Sequence, residues 1–301
     1  MRREASVTKF SGVWLPLITP FREGEIDYTG YERLVDRYVR AGVAGVIPLG
    51  TTGESPTVDE AEAEALVERT VEVVAGRVPI VVGVGGNDTR KVVKAVKRLE
   101  RHGVDGVLSV CPYYSRPSQD GMREHFIRVA EATDRPILIY NIPYRTGVNL
   151  ENETLLALAE VPNIAGVKDS SGSIAQSLAL LRRRPEGFAV LTGEDAYFYT
   201  MLAHGADGGI LASAHVETAR FLAVYQRIIA NDHQGAHTVW SELETLVPLL
   251  FKEPNPMPIK HWLWREGLIQ SAECRLPLTR VSETLACELD RVAGRVASAA
   301  A

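Results

Sequence analysis

Short apolar runs rich in valine, isoleucine and leucine recur along the chain, each bounded by glycine, proline or a polar cluster. They lie at 12–18, 45–49, 79–84, 106–110, 136–141, 164–169, 188–192 and 208–213. Most are unbroken rather than alternating, which is how strands buried on both faces read. Helical patterns fill the intervals. The segment 28–42 puts Tyr31, Leu34, Val35 and Tyr38 on one stripe and stops at Gly42. The segment 57–76 opens with Thr57 and Glu60 at capping-box spacing and also stops at a glycine. Segments 88–103, 119–133, 151–160 and 173–184 repeat the theme. Successive strand starts are 33, 34, 27, 30, 28, 24 and 20 residues apart, a spacing that requires helical crossovers and hence a parallel sheet. Eight such units close a (β/α)8 TIM barrel over residues 1–215. A doubly wound sheet would instead place a glycine-rich phosphate loop after the first strand, where LPLITPF (15–21) stands. Residues 216–301 read as a C-terminal helical appendage that completes the barrel and packs on it. Its helices are expected at 216–231, 233–251, 256–267 and 281–295, with a turn-rich break at FKEPNPMP (251–258). The tail RVASAAA is expected to fray.

Composition narrows the class rather than the chemistry. The chain has 301 residues, a net charge of -5, 46% hydrophobic and 24% charged residues, which is ordinary for a globular enzyme. The mild acidity and the lack of any lysine-arginine block argue against nucleic acid as a partner. No apolar stretch approaches the roughly 20 residues of a membrane span. The N-terminal MRREASVTKFSG carries charge with no apolar core behind it, unlike a secretory signal. Cys111, Cys274 and Cys287 are too few and too scattered for a disulfide framework, so a reduced, cytoplasmic setting is expected.

Barrel enzymes place their chemistry at the C-terminal ends of the strands. Those ends read GTTGES (50–55), CPYYSRP (111–117), YNIPYRTG (140–147), GVKDSSG (166–172), TGEDA (192–196) and ASAH (212–215). Lys168 closes an otherwise apolar strand. Desolvation at the barrel mouth lowers an amine's pKa and makes it a nucleophile for a carbonyl carbon. The plain alternative, a salt bridge to the adjacent Asp169, is equally compatible with position alone. Tyr140 ends the neighbouring strand, and its phenol can shuttle protons beside the amine or simply be a satisfied buried hydroxyl. Thr51 and Thr52 offer hydroxyls and N–H groups in a tight turn, suited to a carboxylate or to a proton relay. Arg145 is either a bidentate carboxylate clamp or a surface arginine. His233 and His237 have helical metal spacing but no acidic companion, so no metal site is expected. His102 and His125 read as helix-surface residues.

Taken together, GTTGES, PYYSRPSQ, YNIPYRTG, GVKDSSG and FKEPNPMPIK, in that order, resemble the dihydrodipicolinate synthase / N-acetylneuraminate lyase family of Schiff-base barrels. The resemblance runs from 12–21 to RLPLT (275–279). It implies that Lys168 condenses with pyruvate and that Tyr140 is the general acid/base above it. It further implies that Thr51 links Tyr140 to a second tyrosine, matched by Tyr114, which reaches across a tight dimer interface. Thr52 matches the residue that holds the pyruvate carboxylate, and Gly193 and Ile210 match positions whose backbone carbonyls line the pocket. The implied assembly is a dimer or a dimer-of-dimers tetramer. The implied cofactor requirement is none, because the covalent imine on Lys168 is itself the electron sink. A member of the fold that had lost catalysis would lack the lysine or the tyrosines, and all are present.

Arg145-Thr146-Gly147 matches the branch that condenses pyruvate with aspartate 4-semialdehyde to 4-hydroxy-tetrahydrodipicolinate, for lysine and diaminopimelate biosynthesis. Tyr144, where that branch has a small residue, leaves an aldolase or dehydratase of a 2-keto-3-deoxy sugar acid as the alternative. Asn87 and Tyr113 match the lysine-feedback site of regulated members, but Glu60 and Ala63 replace histidines and Lys91 replaces a glutamate. A cation in a pocket for a cationic amino acid implies weak feedback by lysine.

Overall fold

The computed structural model describes residues 10–299, with side chains to residue 293. Residues 1–9 and 300–301, and the sequence readings that fall on them, lie outside the described residues. Eight strands form one parallel sheet: β1 (Gly12–Pro16), β2 (Gly45–Ile47), β3 (Val81–Val84), β4 (Gly106–Val110), β5 (Ile137–Asn141), β6 (Ile164–Asp169), β7 (Ala189–Thr192) and β8 (Gly208–Ile210). From β3 round to β8 each strand pairs with the next, and β1 pairs with both β8 and β2, Trp14 standing opposite Ile210. A bridge between Val46 and Ile80, with the Gly83 N–H donating to the Pro48 carbonyl at 2.9 Å, joins β2 to β3 and closes the ring. The architecture is the (β/α)8 barrel that the spacing predicts. Its eighth strand is shorter than the run 208–213, because the chain turns into a short 3-10 helix, Ser213–His215.

Helices alternate with the strands as α1 (Tyr28–Ala41), α2 (Glu60–Val74), α3 (Thr89–Leu99), α4 (Gln119–Ala130), α5 (Asn152–Leu158), α6 (Ile174–Arg183), α7 (Phe198–Ala203) and α8 (Thr218–Ile229). The α1 stripe of Tyr31, Leu34, Val35 and Tyr38 is buried, and Gly42 ends the helix with φ of +92°, a conformation open to glycine at little cost. The capping box of α2 differs from expectation. It is formed by Asp59 and Glu62, because Thr57 belongs to a preceding 3-10 turn and donates its hydroxyl to the Glu54 carbonyl. His125 is also a correction. It is buried between α3 and α4, with Nδ1 2.9 Å from the Thr89 hydroxyl, and burial pulls its pKa down to about 4. Met122, Phe126 and Val129 share that buried face at helical spacing.

Two apolar layers result from strand alternation. On β5, Leu138 and Tyr140 point into the barrel while Ile137 and Ile139 face the helices. Trp14, Ile47, Val81, Leu108, Leu191 and Ile210 fill the interior with them. Any side chain at Gly45 would collide with the Trp14 indole, so the widest interior residue depends on the smallest one beside it.

The last of the alternating helices, α8, lies against β1 and α1 and so completes the ring of helices. The single helix expected at 233–251 is two, α9 (His233–Ser241) and α10 (Leu246–Leu250). Pro248 accounts for the break: it has no N–H for a continuous ladder, but fits the first turn of a new helix. Then come α11 (Met257–Arg265), buried along most of its length, and α12 (Glu283–Ala299), whose helical backbone reaches into the tail expected to fray. No described helix is long and apolar enough to cross a membrane.

Candidate active site

β5 and β6 pair with Tyr140 directly opposite Lys168. Both side chains therefore enter the barrel at the same height, and the Lys168 amine lies 4.1 Å from the centre of the Tyr140 ring. Lys168 is buried, and burial is what draws its pKa down from the ordinary lysine range to about 8. Two carboxyl groups that the sequence reading left without a role, Asp195 and Glu194, oppose that shift. They follow β7 in the TGEDA segment, and a charged pair just past a barrel strand was the available signal.

Asp169 plays no part in this. Its carboxylate accepts hydrogen bonds from the Ser177 hydroxyl and from the Ser171 N–H, on the helix side of the sheet. The partners that act on Lys168 are thus the carboxyl groups of Asp195 and Glu194 rather than that of Asp169. The Asp195 carboxylate is fixed by the Ser213 N–H at 2.6 Å, and burial raises its pKa. Burial, then the neighbouring Asp195, pushes Glu194 up to about 7. Glu194 Oε1 is buried and has no hydrogen-bond partner among the described residues. Gly193 gives the lysine its room: an added Cβ would come within 2.6 Å of Lys168 Cε. Its N–H is tied to the Asp169 carbonyl at 2.8 Å, which locks β7 to β6 at this height.

Tyr140 is buried, and burial raises its pKa to about 12 while Arg145 and the Ser170 and Thr51 hydroxyls pull the other way. Its phenol therefore stays protonated near neutral pH. Thr51 begins the turn Thr51–Gly53 after β2, on the Tyr140 side of the mouth. Thr52, next in the turn, is buried, and its hydroxyl accepts from Asn255 Nδ2 at 3.0 Å. Ile210 is buried in the barrel lining.

A cavity of about 380 Å³ opens at this end of the barrel, lined on the inner side by Thr51, Leu108, Tyr140, Ile142 and Arg145. Arg145 sits on a single helical turn, Pro143–Thr146, with its guanidinium 5.7 Å from the centre of the Tyr144 ring. Tyr144 is 62% exposed. The phenol that departs from the synthase pattern stands beside the arginine, and burial, then the nearby Tyr140 and Glu194, raise its pKa. Tyr113 borders the cavity, whereas Tyr114 is 89% exposed, with a positive φ of 70°. Within one chain, then, Lys168, Tyr140, Thr51, Thr52, Gly193 and Arg145 gather at one end of the barrel, and Tyr114 is left outside. His233 and His237 are exposed on α9, the latter edge-on to Tyr199. Among the described residues no three His, Cys, Asp or Glu side chains group as metal ligands.

The chain is 48% identical to 4-hydroxy-tetrahydrodipicolinate synthase 2 of Clostridium acetobutylicum, over 94% of this chain and 99% of that one. It is 40% identical to the 4-hydroxy-tetrahydrodipicolinate synthase of Porphyromonas gingivalis, over 95% and 97% of the two chains. Its fold superposes on the dihydrodipicolinate synthase of Thermotoga maritima with a TM-score of 0.93 at 38% identity, covering 95% and 98% of the respective chains. Residues 9–295 match the model of the dihydrodipicolinate synthetase family, so barrel, strand-end lysine and C-terminal helices fall within a single match. The chain belongs to the dihydrodipicolinate synthetase family.

Proposed function

We propose that this chain condenses pyruvate with aspartate 4-semialdehyde to give 4-hydroxy-tetrahydrodipicolinate and water. The observation that carries the reading is the Lys168 amine, buried against the Tyr140 ring, with a lowered pKa and the Arg145 guanidinium near enough to act on it. The names of the similar synthases support it.

The neutral Lys168 Nζ attacks C2 of pyruvate, and the carbonyl oxygen takes a proton to give a carbinolamine. Loss of water, with a second proton delivered to the leaving hydroxyl, leaves the protonated imine. Tyr140 and Thr51 are placed to carry these protons. The imine withdraws electrons from C3, which loses a proton to become the enamine. Its C3 then bonds to the aldehyde carbon of the second substrate, and the aldehyde oxygen is protonated to a hydroxyl. Attack of that substrate's amine on C2 closes the ring and releases Lys168. The hydroxyl and N–H groups of the Thr51–Thr52 turn suit the pyruvate carboxylate, and Arg145 suits the carboxylate of the aldehyde. No step draws on a metal or an organic cofactor.

The same proposal includes a homo-oligomer, a dimer or tetramer, in which the outward-standing Tyr114 enters the site of a second copy, and a cytoplasmic setting. Steady-state kinetics test it. Turnover with pyruvate and aspartate 4-semialdehyde is expected to exceed that with 2-keto-3-deoxy sugar acids by at least about 100-fold. The reverse order assigns the site to sugar-acid cleavage or dehydration. Feedback by lysine is expected to be weak, because Lys91 is exposed on α3 and Glu60 is already paired with Arg98. Half-inhibition at sub-millimolar lysine overturns that expectation.

A further inference from the structure

Two sequence segments some two hundred residues apart, GTTGES and FKEPNPMPIK, meet in the fold. Asn255 Nδ2 donates to the Thr52 hydroxyl oxygen at 3.0 Å, both residues being buried. Two residues on, Glu54 and Lys260 form an ion pair in which the side chains are 1% and 0% exposed. Glu54 also accepts the Arg275 N–H at 3.0 Å, and Lys260 donates to the Glu273 carbonyl at 2.8 Å while lying over the Phe21 ring. Glu54 has φ of +54°, which a non-glycine residue adopts at a cost. On its other side the turn is tied down where Thr19 donates its hydroxyl to the Gly53 carbonyl at 2.8 Å.

A buried ion pair is a weak way to stabilise a fold, since apolar residues of similar volume do as well or better. What it does supply is a fixed register between the elements that carry its partners. Here those elements are the turn that holds Thr52 and the start of α11, next to Asn255. A hydroxyl oxygen that accepts from an amide keeps its own hydrogen free to donate elsewhere.

We propose that Asn255 is a positioning residue for the carboxylate subsite: it orients the Thr52 hydroxyl so that its hydrogen meets the pyruvate carboxylate, with the Glu54–Lys260 pair holding the two segments in register. The inference rests on the assignment of pyruvate to Lys168 and Thr52 made above. It also makes the C-terminal segment part of the active site and not merely a cover for the barrel.

The test is the pyruvate concentration that half-saturates borohydride trapping on Lys168, read by intact mass, alongside steady-state KM, kcat and melting temperature. In Asn255→Ala both the half-saturating concentration and KM are expected to rise about tenfold, with kcat falling far less. Asn255→Asp, nearly isosteric, is expected to rise further, because its carboxylate takes the Thr52 hydrogen and repels the substrate; it carries the test if the alanine variant fails to fold. In a Thr52→Val background, Asn255→Ala is expected to add almost nothing. A wild-type adduct whose half-saturation is unmoved in Asn255→Ala overturns this proposal alone, as does an effect that is fully additive with Thr52→Val. No adduct in the wild type overturns the pyruvate assignment, and this proposal with it.

Discussion

Replacing Lys168 by methionine is expected to lower kcat by roughly 10⁴-fold or more and to abolish borohydride trapping of pyruvate, with the barrel still folded. The side chain is buried against the Tyr140 ring, and methionine fills that volume without a charge. The two carboxyl groups that face it already have raised pKa values and take up protons when the amine is gone. Arginine in the same place keeps the cation but has no amine lone pair to add to a carbonyl, so it is expected to be equally inactive. The wild-type pH profile carries the same logic. Burial favours the neutral amine, so kcat/KM for pyruvate rises with pH through the region near 8 and levels off above it, well below the ordinary lysine range. Glu194 favours the charged amine, so Glu194→Gln is expected to move that rising limb to lower pH. A limb that stays in place, or moves up, removes Glu194 from the electrostatics of the lysine. Turnover within tenfold of wild type in Lys168→Met removes the imine mechanism altogether.

The apolar runs made the barrel legible because a parallel strand is covered on both faces and its whole length must be apolar. Lys168 and Tyr140 stood out as exceptions at the end of such runs, where only chemistry or a special partner accounts for an amine. Asp169 misled for a reason that strand geometry could have caught: neighbours along a strand point to opposite faces, so an inward Lys168 forces an outward Asp169. His125 was likewise decipherable, since it shares a helical stripe with Met122, Phe126 and Val129. Other features had no local signal. The acidic pair acts on Lys168 only because β7 pairs with β6 in a register that brings Leu191 opposite it. The Asn255 amide reaches Thr52 across 203 residues, a contact no periodicity encodes. The split between α9 and α10 turned on one proline inside an otherwise continuous apolar pattern.

Tyr140→Phe separates proton transfer from the nucleophile. Removing the hydroxyl leaves the ring, and so keeps both the interior packing and the contact 4.1 Å from the Lys168 amine. The fold and the titration of the lysine are therefore expected to stay close to wild type. What is lost is a hydroxyl that burial keeps protonated, pushed up to about 12, and that the Thr51 and Ser170 hydroxyls face. Forming and dehydrating the carbinolamine, and protonating the new hydroxyl after carbon–carbon bond formation, all move protons at that spot. Loss of a positioned acid/base group costs about 10² to 10⁴-fold, and kcat is expected to fall within that span. The pyruvate adduct on Lys168 still forms to the same final mass, but more slowly. If Thr51 works through Tyr140, Thr51→Val is expected to cost less alone and almost nothing in the Tyr140→Phe background. Additive losses would place Thr51 in a separate role, and a Tyr140→Phe enzyme within twofold of wild type would leave the proton to Glu194 or Asp195, the two carboxyl groups beside Lys168 whose pKa values burial raises.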